Sequence, residues 1–136
     1  MLDKIPDKPQ SVLDVPADFM LQAGFQLDPD ATLVVGFRRL PDKPASGYRL
    51  TIRPKNQEIE IAGSRYVYAR RCPLDASKPI QVQAFVDGSI LECFVNDAYA
   101  FTMRGYDFPE GKLSLDVSNG SMRILELKVK TRPSGN

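Results

Sequence analysis

The sequence predicts an all-β fold, an antiparallel sandwich of two sheets with about ten short strands. Apolar residues alternate with polar ones along most of the chain, turn-forming residues separate these runs, and no segment keeps a helical period. A single closed barrel is the alternative. With 136 residues, 43% of them hydrophobic, the chain is long enough for one domain with its own core.

The first half of the chain predicts an arm followed by strands. Three prolines mixed with charged residues make 1–16 a linker or N-terminal arm, which suits a module cut from a longer chain. The β-sandwich module is expected over 17–131, before a polar tail over 132–136. Its first strands are predicted at 17–27, 31–38, 48–53, 57–62 and 66–69.

The second half alternates in the same way. Strands are predicted at 80–86, 90–95, 98–103, 113–117 and 124–129. Asp87-Gly88 between two apolar runs predicts a tight hairpin of type I′, in which both central residues have positive φ. Asp87 and Asn96-Asp97 are expected to stabilise turns through local hydrogen bonds, with binding of calcium or a sugar hydroxyl as the alternative.

Composition excludes several kinds of chemistry. The chain has no histidine, which rules out a Ser-His-Asp triad, a Cys-His dyad and any histidine-containing zinc site. The net charge of +1 gives no reason to expect nucleic acid or a membrane surface as a partner. Cys72 and Cys93 are expected to be structural, and the sequence leaves open whether they form a disulfide. No metal or cofactor is predicted.

One motif resembles a known family. The stretch Val86-Asp87-Gly88-Ser89-Ile90-Leu91-Glu92-Cys93-Phe94-Val95-Asn96-Asp97 is similar to a hairpin in the C-terminal β-sandwich module of glycoside hydrolase family 32, the family of invertases, levanases, inulinases and sucrose-6-phosphate hydrolases. Arg104, Tyr106 and the strand at 113–117 continue the match. The resemblance implies a concanavalin- or lectin-like jelly roll. Ala98, where the family usually has glycine, and Cys93, where it has an aliphatic residue, depart from the pattern.

The resemblance also implies that this chain is not an enzyme by itself. In the family a five-bladed propeller supplies the catalytic carboxylates for retaining hydrolysis of β-fructofuranosidic bonds. Two of its three acidic motifs have no counterpart here, and the chain has no tryptophan for the first. Glu92-Cys93 superficially matches the third but lies inside the sandwich hairpin, and a retaining glycosidase needs two carboxyl groups about 5–5.5 Å apart. No catalytic residue is therefore assigned.

The hairpin is expected to form an interface because it is apolar on both sides. Its large residues cannot all enter one core, so a covered outer surface is predicted, with the catalytic propeller of a parent chain or a second copy as the partner. Glu92 either forms an ion pair across that interface or is a solvated charge. The residues assigned to this motif and interface are Asp87, Ser89, Glu92, Phe94, Asn96, Asp97 and Arg104.

A free-standing carbohydrate-binding, lectin-like module is the alternative function. Tyr66, Tyr68 and Tyr99 are its candidate stacking platform for a fructan or another sugar. Packing at sheet edges is the other explanation for these rings. Arg65, Arg70 and Arg71 are expected to be a solvated strand end. Localisation depends on the parent enzyme: secreted or periplasmic for a polymer substrate, cytoplasmic for sucrose phosphate.

Overall fold

The computed structural model describes residues 10–40, 43, 46–63, 66–75, 77–105 and 111–131. Within these ranges the chain forms eleven strands and one 3-10 turn, Pro54–Asn56. The strands are β1 Gln10–Leu13, β2 Phe19–Leu27, β3 Thr32–Arg39, β4 Tyr48–Arg53, β5 Glu58–Ala62, β6 Val67–Arg71, β7 Ile80–Asp87, β8 Ile90–Val95, β9 Tyr99–Arg104, β10 Lys112–Ser118 and β11 Met122–Thr131.

The strands form two antiparallel sheets, which confirms the predicted sandwich. One sheet has six strands in the order β1-β10-β3-β4-β5-β6, and the other has five in the order β11-β2-β7-β8-β9. Consecutive strands are mostly neighbours, but β10 returns to pair with β3 and β11 returns to pair with β2. The described residues contain no helix with the length and hydropathy of a membrane span.

Strand β1 lies inside the segment that the sequence assigns to a linker. Gln10–Leu13 pairs with β10, with Leu13 opposite Leu113. The three prolines at 6, 9 and 16 flank this short run without interrupting its ladder. Residues 1–9 and the predicted tail, 132–136, lie outside the described ranges.

The core lies between the two sheets and follows the predicted alternation. Inward residues of β2 alternate with outward ones, and the same holds for β3, β4, β7 and β8. The largest fully buried side chains are Phe25, Phe37, Leu21, Leu33, Leu50, Ile52, Ile59, Ile80, Leu113 and Leu115. Cys72 and Cys93 are both free thiols buried in this core.

Two strands depart from the predicted pattern. In β9, Phe101 and Met103 point into the core and Ala100 is exposed, so these two large residues do not contribute to the covered outer surface that the sequence predicts for the hairpin region. In β11 the register with β2 shifts between Ile124 and Glu126, so that Leu125 is exposed although its apolar character predicts a core position. Such a bulge adds one residue to one strand and changes which face the next side chains occupy.

The two hairpins of the motif have different turns. The β7–β8 turn is Gly88-Ser89, and of its two residues only Gly88 has positive φ, which is the pattern of type II′ rather than the predicted type I′. In the β8–β9 connection both Asn96 and Asp97 have positive φ, at 55° and 54°. The type I′ geometry predicted for the first hairpin therefore occurs in the second.

Candidate functional site

An apolar groove lies on the outer face of the five-stranded sheet. Met20 of β2 is directly opposite Phe85 of β7, and the Phe85 ring meets that of Phe94 edge-on, with centroids 5.9 Å apart. Ile90 continues the apolar surface and is 37% exposed. The groove has a volume of about 630 Å³. Its lining residues are Phe19, Met20, Phe85, Val86, Asp87, Ile90, Glu92, Lys130 and Thr131.

Charged groups form the rim of the apolar groove. Glu92 is exposed, lies opposite Phe85 and Thr102 on the neighbouring strands, and forms no ion pair with any described residue. Lys130, on β11, lies on the side of the groove opposite Glu92. Arg104, on β9, is the cross-strand neighbour of Ile90. An apolar floor with a charged rim is the composition of a protein interface rather than of a core. Glu92 therefore lies on the face away from the core without an ion-pair partner among the described residues, and an ion pair across an interface stays a prediction.

The remaining motif residues lie in the turns and strands of the β7–β8–β9 meander. Ser89 is the second turn residue of the first hairpin. The Asn96 side-chain oxygen accepts a hydrogen bond from the Gln81 backbone N–H at 2.7 Å, which ties this turn to the start of β7 and is not the local hydrogen bond that the sequence predicts. Asp97 is exposed in the same turn.

A buried arginine holds the first hairpin in place, and sequence reasoning did not single it out. Arg38 is 4% exposed and has φ of 55°. Its guanidinium donates to the Ala17 carbonyl at 3.0 Å and to the Asp18 carboxylate at 3.2 Å. The same Asp18 oxygen accepts the Gly88 N–H at 2.9 Å. This link joins both sheets beside the apolar groove. Its only sequence signal is a charged pair at the end of the apolar β3 run.

The three candidate stacking tyrosines occupy different environments. Tyr66 packs partly against the core, and its burial raises the pKa of its hydroxyl. Tyr68 is 54% exposed near the sheet edge. The Tyr99 hydroxyl donates to the Pro73 carbonyl at 2.7 Å, and the Arg70 guanidinium lies 5.8 Å from its ring centroid. Arg70 therefore packs on aromatic rings instead of being fully solvated.

The outer face of the six-stranded sheet is charged instead of apolar. Arg39 crosses over Gly36, where an added Cβ would lie 2.8 Å from the Arg39 Cγ. Burial, then the neighbouring Arg49, lowers the pKa of Arg39. Burial raises the pKa of Asp116, and the nearby Arg39 opposes that change. The two outer faces thus differ in character: the apolar groove lies on the five-stranded sheet, whereas the exposed Val12, Val67 and Tyr68 of the six-stranded sheet lie on its two edge strands.

Chemistry within this chain is limited by its side chains. The described residues contain no group of three or more carboxylates or thiols placed to bind a metal ion. Burial raises the pKa of Cys93 to about 12, so its thiol is neutral and a poor nucleophile near neutral pH.

Known structures share this fold at low sequence identity. A carbohydrate-binding module, CBM66, from Bacillus subtilis has a TM-score of 0.74 and 14% identity, covering 93% of this chain and 84% of that chain. The galectin LEC-6 from Caenorhabditis elegans has a TM-score of 0.71 and 12% identity, covering 95% and 94%. A β-fructofuranosidase from Aspergillus kawachii, complexed with glycerol, has a TM-score of 0.66 and 12% identity, covering 90% and 26%.

The chain thus spans about a quarter of the length of that β-fructofuranosidase, and likewise 26% of a fructosyltransferase from A. japonicus. No curated protein matches the sequence. A family model described as the C-terminal region of glycosyl hydrolases family 32 matches residues 9–131. That match includes every described residue and extends well beyond the hairpin motif. The chain therefore belongs to the family of glycosyl hydrolase family 32 C-terminal modules.

Proposed function

We propose that this chain is a non-catalytic module that braces the catalytic five-bladed propeller of a parent β-fructosidase, and that the apolar groove is its docking surface. The observation that carries the proposal is the groove itself, with Met20 and Ile90 exposed and Phe85 half-buried on one sheet face. Completely burying a fully exposed large apolar side chain is worth about 1.5–3 kcal/mol, and Met20 and Ile90, which are 36% and 37% exposed, can each contribute a part of that. Several such residues together therefore favour a covered state.

The length of the chain supports the propeller as the occupant. The match covers 26% of the β-fructofuranosidase and 26% of the fructosyltransferase. In each of those proteins the part outside the match is therefore about three times as long as the matched region. The charged rim of Glu92, Lys130 and Arg104 favours a partner surface with an apolar centre and polar margins. Retaining hydrolysis of β-fructofuranosidic bonds would then be the work of the parent enzyme.

The test is a binding measurement with a matched control. If the adjoining coding sequence encodes a propeller, that propeller is produced separately and titrated with this chain in a calorimeter. Ile90→Glu should weaken binding at least about tenfold because it places a charge in the apolar floor. Val67→Glu, at a 67% exposed position on the other sheet, should not change it. Equal effects of the two variants, or no binding by the wild type, would exclude this docking surface.

A second copy of the chain is the competing occupant of the groove. Light scattering on the isolated chain distinguishes a second copy from the propeller as the occupant, because it measures whether the chain forms a dimer. A dimer that Ile90→Glu dissociates would overturn the propeller proposal. A monomer that binds the propeller would support it.

The absence of catalysis in the isolated chain needs its own assay, because Asp87 and Glu92 both line the groove. Neither carboxylate is enclosed in a cleft, since both side chains are exposed. We expect no fructose release from sucrose or inulin by the pure chain. Release that is lost in Glu92→Gln would overturn the non-catalytic proposal.

Carbohydrate binding by the module is the second candidate function. The named carbohydrate-binding module and the galectin share its fold, and a polar pocket lies at the opposite end of β2 from the apolar groove. Tyr68 is the most exposed of the predicted stacking tyrosines. Firm binding of a fructan by the isolated chain would support this candidate independently of bracing.

A further inference from the structure

A polar pocket lies where three turns meet at one end of the six-stranded sheet. The turns are β2–β3, the 3-10 turn after β4, and β10–β11, and their strands are neighbours in the order β10-β3-β4. The pocket has a volume of about 410 Å³, within the range of about 300–1,000 Å³ that small-molecule sites have. Its lining residues are Asp30, Ala31, Thr32, Arg53, Lys55, Asn56 and Asn119.

Two of the three walls of this pocket are fixed to each other. Asp28 of the β2–β3 turn accepts hydrogen bonds from the Ser121 N–H at 2.7 Å and the Ser121 hydroxyl at 2.9 Å. The Asp28 N–H in turn donates to the Ser121 carbonyl at 3.1 Å. These three bonds join the β2–β3 turn to the β10–β11 turn and set the spacing of their side chains.

The third wall is held by a side chain outside the pocket. The Gln57 amide donates to the carbonyls of Pro54 and Leu74, at 2.6 and 2.7 Å, and accepts the Leu74 N–H at 2.8 Å. The 3-10 turn therefore keeps one position. A ligand entering the pocket would not need to order its walls, which reduces the entropy cost of binding.

The pocket presents unused hydrogen-bonding groups. Arg53 uses only Nη1, for Glu58 and Glu60, so its Nε and Nη2 have no partner within the described chain. The side-chain amides of Asn56 and Asn119 and the Thr32 hydroxyl likewise form no hydrogen bond with another described residue. Donors and acceptors are therefore interleaved around one cavity, as hydroxyl groups that both donate and accept require.

The charges around the pocket disfavour an anion. Arg53 and Lys55 supply two positive charges, and Asp30, Glu58 and Glu60 supply three negative ones at contact distances of 3.1 to 3.6 Å. Because Arg53 and Lys55 are both already paired with carboxylates, neither offers a phosphate or a carboxylate an uncompensated charge. No aromatic side chain lines the pocket, so stacking does not contribute.

We propose that this pocket binds a single neutral sugar unit through hydrogen bonds to its hydroxyl groups. The inference deepens the second candidate function, carbohydrate binding, and does not depend on the docking of a propeller. The pocket and the apolar groove lie at opposite ends of β2, so both can be occupied in one molecule. Since only hydrogen bonds hold the ligand, we expect weak affinity, in the millimolar range.

The experiment is a titration of the full chain with fructose, sucrose and 1-kestose, followed by amide chemical shifts. Shifts should concentrate at Thr32, Asn56 and Asn119. Asn119→Gly should weaken binding about three- to tenfold, the effect of one lost hydrogen bond, and keep the fold, since glycine suits the Asn119 φ of 59°. Asn56→Ala should also weaken binding through one lost hydrogen bond, and it should keep the fold because Asn56 is exposed.

The matched control is Asp97→Gly. Asp97 also has positive φ in an exposed turn but does not line the pocket, so binding should be unchanged. Sugar binding that neither asparagine variant weakens would overturn the pocket and leave carbohydrate binding standing. No binding of any of the three sugars would refute both. Competition by inorganic phosphate would show an anion site and contradict the charge argument.

Discussion

At the residue scale, the molecule depends on a few polar side chains that join distant segments. Asp18 accepts hydrogen bonds from Arg38 and from the Gly88 backbone, and so connects the start of β2 with β3 and with the β7–β8 turn. Asp28 makes the corresponding connection at the other end of β2. Each aspartate lies beside one of the two proposed surfaces, so stability and binding are linked through them.

We predict that Asp18→Ala lowers the free energy of unfolding by about 1–3 kcal/mol. The substitution removes a charged partner from a guanidinium that is 5% exposed and an acceptor from the hairpin turn. Asp14→Ala is the control, because the Asp14–Lys112 ion pair is exposed and should contribute less than about 1 kcal/mol. Urea denaturation gives both values. Similar losses in the two variants would contradict the structural role of Asp18.

The Asp28 carboxylate predicts a pH dependence of stability. Hydrogen bonds from the Ser121 N–H and hydroxyl lower the pKa of Asp28 below its usual 3.8. The stabilisation is therefore complete above that pH and is lost as the pH falls through the lower pKa of the folded state. The difference in unfolding free energy between wild type and Asp28→Asn should shrink as the pH falls below 3.8.

Ser121→Ala is the control for that measurement. It removes only the smaller, side-chain hydrogen bond and keeps the backbone one, so most of the pH dependence should remain. Urea midpoints measured across the acid range give the comparison. A constant difference between wild type and Asp28→Asn at every pH would rule out this assignment.

At the scale of elements, the strands form from alternation, but the turns and bulges set which residues reach the surface. The bulge in β11 exposes Leu125, and the type II′ turn after β7 leaves Ile90 in the floor of the apolar groove. The alternating pattern identifies Leu125 and Ile90 as apolar strand residues but does not show which face of the sheet each one occupies. The backbone geometry between strands decides whether they contribute to the core or to an interface.

Gly47 is the clearest case of a turn that requires glycine. Its φ is 82°, and an added Cβ would lie 2.4 Å from the Phe37 carbonyl oxygen. Gly47→Ala should therefore cost about 2–4 kcal/mol of stability, from backbone strain and this clash together. Gly88→Ala has positive φ but no atom within 4 Å of the added Cβ, and should cost about 1 kcal/mol. Thermal unfolding of both variants tests the difference, and equal losses would exclude the clash.

At the scale of the whole molecule, the sandwich has one core between its sheets and two outer faces, and these three regions differ in chemical character. The core holds both thiols, the six-stranded sheet presents charge, and the five-stranded sheet presents the apolar groove. The proposed sugar pocket lies at an end, where turns from distant parts of the chain meet. This arrangement leaves a propeller and a sugar separate surfaces.

The buried thiols report on the integrity of the whole sandwich. Cys72 and Cys93 have 0% exposure, and the raised pKa of Cys93, about 12, keeps that thiol protonated at neutral pH. A thiol reagent should therefore label neither cysteine in the folded chain and both after unfolding in urea. Ser118→Cys, at an exposed position, provides the positive control. Rapid labelling of the folded wild type would contradict a closed core.

Much of the fold and part of the candidate site follow from the sequence. Alternation with a period of two predicts most strands, and the motif from Val86 to Asp97 predicts the family and the hairpin that carries the groove. These features are readable because successive side chains of a strand face opposite sides and because a tight turn needs particular residues locally. The sequence also groups Phe85, Ile90, Phe94, Tyr99, Phe101 and Met103 as large residues that cannot all enter one core. Phe101 and Met103 do enter it, and a partner that covers the others stays a prediction.

Other features depend on contacts between segments far apart in the chain. Pairing of β1 with β10, the inward direction of Phe101 and the burial of Arg38 each need the finished sheets. The polar pocket unites Asp30, Asn56 and Asn119, which no local pattern connects. The sequence by itself therefore determined strands, family and one apolar face, because these arise from neighbouring residues. The tertiary structure alone decided the sheet order, the partly buried ion pair of Arg38 with Asp18 and the pocket, because these arise from long-range hydrogen bonds and packing.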